Sequence, residues 1–540
     1  MHVHTPTHCQ ADLPLRVSGP TLARIPDGRP DIARLTGGSV LSSSSRGLLA
    51  LLLALTTAVL AAPAVAQIPA TEYAARRAAL AARLDSGVVV AYGGVETVAA
   101  WPTFHQTPAF YYLTGFAETD AALVMVKRNG TVAATMFVPT RTAIQERWAG
   151  ARTRVGEMQG KFGIAGRDIA ELQAAVDSLA ETGLPFYVVP DVQTRDNMEE
   201  DSLTRGSSLV SRLRQNHAWL VTQSADTLVR HLRARKSSAE MALLKRATEI
   251  STRAHEEAMK AAAPGCGEYE IQALLDGTFK RFGGDRPGYG SIVGSGTNAT
   301  ILHYMENTRV MRDGELLLID AATSFDHYSS DVTRTFPVNG RFSPEQREIY
   351  QIVRDAQEAF VRQIAPGVSV EVSSDSGRAI VAKGLTRLGL IQSPDATIDP
   401  PEGARCEPSS CLQTTLFALH GYGGHGIGLE VHDPAQYYEE KRQFGVGDVF
   451  TVEPGIYISP DLLGSLPDTP KNRAFLAKIR PAVQKYRGIG VRIEDVYAVT
   501  DKGVEWMSSG APREIPQIEA LMREREPELP GGGSCGRPKT

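Results

Sequence analysis

Residues 320–337 read DAATSFDHYSSDVTRTFP, directly after the run ELLLID (315–320) that ends on Asp320. ELLLID and YSSDVTRTFPV (328–338) have the aliphatic and β-branched content of strands, yet each carries an aspartate, Asp320 or Asp331. Aspartate and glutamate are depleted in strands and seldom buried unless paired or bound to metal. The same conflict recurs downstream, at Glu453 in DVFTVEPGIYI (448–458) and at Glu494 in VRIEDVYAVT (491–500). With His425 in GYGGHGIG (421–428) they form an oxygen-rich set with one imidazole, suited to Mn, Fe, Co or Zn rather than to a thiolate zinc site. Four carboxylates are too many to bury around one divalent ion. Two ions ~3.5–4 Å apart that share carboxylates would balance the charge and bring a bridging water toward a pKa of ~7. Taken singly, each residue also has an ordinary reading. Asp320 can end a strand as a turn residue, Glu453-Pro454-Gly455 can be a plain turn, Asp331 can face solvent and His425 can be a loop histidine. Residue type and spacing leave both readings open.

The rest of the chain frames these blocks. It has 540 residues, 42% hydrophobic and 22% charged, which excludes disorder, a collagen-like repeat and a disulfide-dense miniprotein. A net charge of −4 leaves no bulk basic footprint for nucleic acid. Residues 1–45 are polar and rich in Pro, Gly and Ser, and no packed structure is expected there. An upstream mis-assigned start codon would account for so long a leader. Residues 46–66, Arg46 followed by GLLALLLALTTAVLAAPAVA, read as a secretory signal peptide cleaved after Ala66. An uncleaved anchor is the competing reading, and Pro63 with the small-residue end argues against it. The mature chain is therefore expected to be exported, periplasmic or extracellular, with no stable membrane span.

From 67 to 233, GVVVAYGG, ALVMVKRNG and AATMFVP read as buried strands, and ELQAAVDSLAETG as an amphipathic helix stopped by Gly183: an α/β domain. Ser237 with Glu240 is a capping box opening a helix that runs to Pro264-Gly265. Ser343-Pro344-Glu345 opens another, ending at Pro366-Gly367. Residues 234–525 thus read as a second, α+β domain of capped helices and acid-bearing strands, and 526–540 as a disordered tail. Five cysteines (Cys9, Cys266, Cys406, Cys411, Cys535) are too few and scattered for a zinc cluster or a disulfide scaffold. Cys406 and Cys411 form either a short bridge or two free thiols.

DAATSFDHYSSDVTRTFP, HGIGLEVHD (425–433), TVEPGIYI and GIGVRIEDV together resemble the metal-binding segments of the M24 peptidases, the pita-bread metallopeptidases. The likeness continues through SIVGSGTNATILHY (291–304). FHQTPAFYYLTGFAETDAALVMV (104–126) resembles the N-terminal domain of the aminopeptidase P and prolidase branch, M24B. The resemblance implies an α+β pita-bread domain behind an α/β N-terminal domain. It implies two divalent ions, Mn²⁺ first with Co²⁺ or Zn²⁺ as alternatives. Asp320 would ligate one ion, His425 and Glu453 the other, and Asp331 and Glu494 would bridge. Glu453 would also hold the nucleophilic water. His303 and His432 match substrate-contacting histidines, and Arg492 matches an arginine beside the bridging glutamate. A histidine is expected four residues before His425, whereas His420 precedes it by five, which leaves His420 outside the pattern.

The reaction so implied is removal of the first residue from peptides with an Xaa-Pro N-terminus. Tyr289 and Tyr304 are either walls for the proline ring or core packing. A prolidase acting on Xaa-Pro dipeptides is the neighbouring alternative. A metal-free pita-bread hydrolase and a non-catalytic peptide-binding relative are alternatives of other classes, disfavoured by five filled ligand positions. Relatives of this build imply a homo-oligomer, a dimer or a tetramer.

Overall fold

The computed structural model describes residues 67–95, 104–191, 204–402, 406–407, 409–418, 424–435, 442–524 and 535, all within one unit spanning Ala66–Thr540. The leader, the signal segment, His420 and the tail apart from Cys535 lie outside the described residues.

The run GVVVAY forms strand β1 (Gly87–Tyr92), buried at every position. A strand apolar on both faces needs cover on both. It lies inside a six-stranded sheet with β2 (Ala122–Arg128), β3 (Thr131–Val138), β4 (Ala165–Asp168), β5 (Phe186–Val189) and β6 (Thr222–Ser224), in the order β4-β3-β2-β1-β5-β6. β1–β2 and β2–β3 are antiparallel and the remaining pairs parallel. Val89, Ala91, Leu123 and Met125 pack into one core, and Val88, Val90, Ala122 and Val124 into another on the opposite face. The expected helix spans Leu172–Ala180, and Gly183 follows in the left-handed conformation, φ 76°.

Ser237 caps the helix Ser238–Ala261 as the sequence predicts. Its Oγ accepts from the Glu240 amide at 3.2 Å, and its own amide donates to Glu240 Oε2 at 2.8 Å. Glu240 Oε1 also accepts from the Tyr328 hydroxyl and pairs with Arg76 of the first domain, so the cap doubles as a domain joint. Among the described residues, helices Glu268–Arg281, Pro344–Val361, Val370–Arg387, Pro470–Tyr486 and the short Ile515–Leu521 follow in the second domain.

Its strands are short: β7 (Ile292–Ser295), β8 (Leu316–Asp320), β9 (Ser324–Phe325), β10 (Tyr328–Ser329), β11 (Thr333–Pro337), β12 (Val449–Val452), β13 (Gly455–Tyr457), β14 (Gly490–Arg492), β15 (Asp495–Thr500) and β16 (Gly503–Trp506). They form β11-β8-β7, β12-β15-β16, β13-β14 and β10-β9. Here the structure corrects the sequence reading. Three segments expected as single strands are each broken at an acid: YSSDVTRTFPV between β10 and β11 at Asp331, DVFTVEPGIYI between β12 and β13 at Glu453, and VRIEDVYAVT between β14 and β15 at Glu494. Each segment leaves one sheet and joins another there, which frees the acid from strict alternation between faces.

Two disulfides are present, Cys406–Cys411 and Cys266–Cys535. The first settles the open question of that loop. The second, across 269 residues, was not foreseen, because sequence spacing carries no information on so distant a pairing.

Candidate metal centre

The strand breaks bring the predicted acids together. Thr333 faces Asp320 in the β8–β11 ladder and bridges to Glu494 on its other side. Thr333 Oγ1 donates to Glu494 Oε2 at 2.7 Å. His425 is tied to the end of β12: its amide donates to Thr451 Oγ1 (3.1 Å) and its carbonyl accepts from the Thr451 amide (2.9 Å). The same hydroxyl donates to Glu453 Oε1 at 3.3 Å. His425 Nε2 then stands 3.4 Å from Asp331 Oδ2 and 3.5 Å from Glu453 Oε1. Asp331, His425 and Glu494 offer ligand atoms within 4.8 Å of one another. Asp320 closes the group, because the Tyr289 hydroxyl lies 2.6 Å from Asp320 Oδ1 and 2.5 Å from Asp331 Oδ1. All five residues converge.

A cluster of this charge cannot stay ionised in a protein interior without a cation. Burial, then the neighbouring carboxylates, push Asp331 and Glu494 well above the usual carboxylate range. Burial acts on Asp320 too, but Arg492, whose Nη2 is 2.6 Å from Asp320 Oδ2, and Tyr289 outweigh it and hold that carboxyl below its ordinary value. Arg492 itself is fully buried and fixed by the Tyr457 hydroxyl (2.9 Å) and Thr333 Oγ1 (3.2 Å). Glu494 Oε1 is buried with no hydrogen-bond partner. A lone pair so placed fits a metal ligand. His425 Nδ1 lies 3.1 Å from the Gly426 carbonyl. With the proton on Nδ1, Nε2 is left as an acceptor facing the acids.

His432 lies beside the centre, its ring edge-on to His425 with centroids 4.2 Å apart. His303 is exposed, one residue beyond Leu302, whose carbonyl accepts from Arg492 at 3.4 Å. Tyr304 requires a correction. It is 8% exposed within a cluster with Leu318 and Tyr457, and its hydroxyl donates to buried Glu268 at 2.9 Å. It is core, not a substrate wall. Tyr289 is more than a wall, since burial and the acids push its hydroxyl well above the ordinary range, so it remains a donor between two carboxylates. Sequence reasoning missed Thr333, Thr451 and Tyr457. Threonine and tyrosine in strands are too common to signal such a role.

The profile of the family described as Metallopeptidase family M24 matches residues 242–501, and that of the aminopeptidase P N-terminal domain matches 73–184. A Xaa-Pro aminopeptidase of Haemophilus influenzae is 33% identical over 465 residues, 85% of this chain and 98% of the relative. The structure of Escherichia coli aminopeptidase P with the inhibitor Pro-Leu superposes with a TM-score of 0.69 at 32% identity, covering 85% of this chain and 99% of that one. A zinc-substituted form of the same enzyme with product matches equally, TM-score 0.69 at 32% identity over 85% and 100%. With the acids gathered at one buried centre and both domains matched, the chain belongs to the M24 metallopeptidases, in the group whose pita-bread domain follows an aminopeptidase P N-terminal domain.

Proposed function

We infer that this chain is a metallo-aminopeptidase that hydrolyses the bond before proline at the N-terminus of a peptide. The observation that carries the chemistry is the buried, unpartnered Glu494 oxygen inside a group of four carboxylates and one histidine. The near full-length match to Xaa-Pro aminopeptidases supports the substrate class. Two divalent ions, Mn²⁺ with Co²⁺ or Zn²⁺ as alternatives, held by Asp320, Asp331, His425, Glu453 and Glu494, would polarise the scissile carbonyl and lower the pKa of a water at the centre.

The chain's own groups do the rest. Tyr289 donates into Asp320 and Asp331 and fixes how their remaining oxygens point. Arg492 neutralises Asp320 and, through Thr333, steadies Glu494. Glu453 orients the attacking water and takes its proton. His432 and His303 donate to the oxygen that gains charge, a contribution typically worth ~3–4 kcal/mol. The bond before proline lacks an N–H, so a site that asks nothing of that group accepts it.

The test is metal analysis of purified protein with a panel of Xaa-Pro dipeptides and longer Xaa-Pro-Yaa peptides in the presence of Mn²⁺. Bound metal with turnover of the longer peptides is the expected result. Turnover of dipeptides alone would make it a prolidase, and activity without any divalent ion would end the metal reading.

Two further parts of the reading are proposals. The chain is exported, supported by the 46–66 segment and two disulfides, and the N-terminus of the mature protein checks this, with Gln67 expected. It forms a homo-oligomer, dimer or tetramer, supported by Trp148 (89% exposed) and Ile144 (71%), four residues apart on one short helix. Light scattering on wild type and Trp148→Ala checks it, and a monomer in both would end it.

A further inference from the structure

A cleft of about 390 Å³ lies beside the centre, with Tyr289 and His432, neighbours of the proposed ligands, on its walls and Arg286, His327 and Glu430 also lining it. Two features stand on its rim. The first is the hairpin joining β9 to β10, whose two-residue turn is Asp326-His327 with φ of 47° and 70°. Turns with positive φ at both positions favour Asn-Gly or Asp-Gly, and a histidine at the second position is strained. The turn is held from several sides. Tyr111 of the first domain reaches Asp326 with its hydroxyl (3.3 Å) and packs its ring on His327 (centroids 4.1 Å), while the His327 amide donates to Asp285 Oδ2 at 2.9 Å. The strain keeps an imidazole in the cleft where glycine would leave none.

The second feature is Arg286, which has no ion-pair partner among the described residues. The charge of Asp285 acts on it, but that carboxylate also accepts from the His327 amide. Glu430, in the same cleft, is taken by Arg233 at 2.6 Å. His105 of the first domain faces His327 at 5.3 Å between centroids, with its Nε2 buried and unpartnered. Burial, with Arg286 and His327 nearby, lowers His105 to about 3, so the histidines add donors rather than counter-charge. An exposed guanidinium that makes no ion pair with the described residues, flanked by neutral imidazoles on a cleft lined also by Tyr289 and His432, can receive a carboxylate.

We propose that Arg286, supported by His327, binds a carboxylate of the peptide substrate and so sets the preference among Xaa-Pro peptides. This rests on the Xaa-Pro aminopeptidase reading. The carboxylate has two sources, an acidic first residue or the C-terminus of a short peptide. The test compares kcat/KM of wild type, Arg286→Gln and Arg286→Lys, loaded with Mn²⁺, on Glu-Pro-Leu against Gln-Pro-Leu and on Ala-Pro-Leu against its C-terminal amide. Arg286→Gln is expected to reduce one acid-to-neutral ratio by roughly tenfold, with Arg286→Lys retaining part of it and the neutral peptides within about twofold. A fall in the Glu/Gln ratio assigns the first residue, and a fall in the acid/amide ratio assigns the C-terminus. If both ratios stay unchanged in Arg286→Gln, the proposal is overturned. If the wild type cleaves none of the four peptides, the Xaa-Pro reading itself fails and takes this one with it.

Discussion

The sheet of the first domain and the strands of the second are written in similar residues, valine, isoleucine, leucine and threonine, but they end differently. β1, β2 and β3 run unbroken, and β1 between its neighbours is covered on both faces. The acid-bearing segments of the second domain stop and change sheets at Asp331, Glu453 and Glu494. An unbroken strand alternates its side chains between two faces and would scatter these acids. A break lets each one turn toward the same point. Continuity builds the scaffold, and interruption gathers the charge.

That contrast can be broken most severely at Asp331. Asp331→Ala is expected to lower kcat/KM by more than about a thousandfold, since catalysis through a metal centre supplies several kcal/mol, and to lower metal content in parallel. Wild-type turnover would remove Asp331 from the centre. A pH series on metal-stripped protein probes the same charge. The raised carboxyls of Asp331 and Glu494 bind protons more tightly folded than unfolded. Their contribution to stability is thus present below the ordinary carboxylate pKa of about 4 and is lost as pH rises through the raised values. Stripped protein should lose Tm relative to Mn²⁺-loaded protein as pH increases from 5 to 8, and parallel Tm curves would contradict this. The scaffold should respond in the opposite manner. Val90→Ala, in the doubly covered β1, is expected to cost about 2 kcal/mol of stability, seen in denaturant unfolding, with kcat per metal-loaded molecule unchanged. The smallest effect is reserved for Tyr289→Phe. Loss of the hydroxyl between Asp320 and Asp331 should reduce kcat roughly tenfold, as expected for one charge-assisted hydrogen bond, while metal content stays near normal. Metal loss in that variant would make the hydroxyl part of the binding site rather than an orienting group.

Residue type raised the ligand set as a candidate, because acids in strand-like runs pose a problem that a cation site solves, but it left an ordinary reading open for each residue, and the resemblance to the M24 peptidases decided between them. The caps at Ser237 and Ser343 were equally legible, since a capping side chain acts within three residues of itself. Tyr304 and Tyr289 were not separable. Both are tyrosines near one another in sequence, yet one hydroxyl meets Glu268 and the other meets Asp320 and Asp331. Likewise Asp433, adjacent to His432, gave no sign that Lys236 and Arg233 from the domain joint would enclose it.

What the sequence determined by itself was local or chemical: where helices start, which runs are apolar on both faces, and which side chains are able to hold a metal. The tertiary structure alone decided where the strands break, which hydroxyls reach which carboxylates, that Cys266 meets Cys535, and that Arg286 and His327 share a cleft with Tyr289 and His432. The division has a physical cause. Backbone preference and side-chain chemistry belong to a residue and its near neighbours, whereas a contact across 30 to 270 positions exists only once whole layers have packed, and many sequences could pack them otherwise.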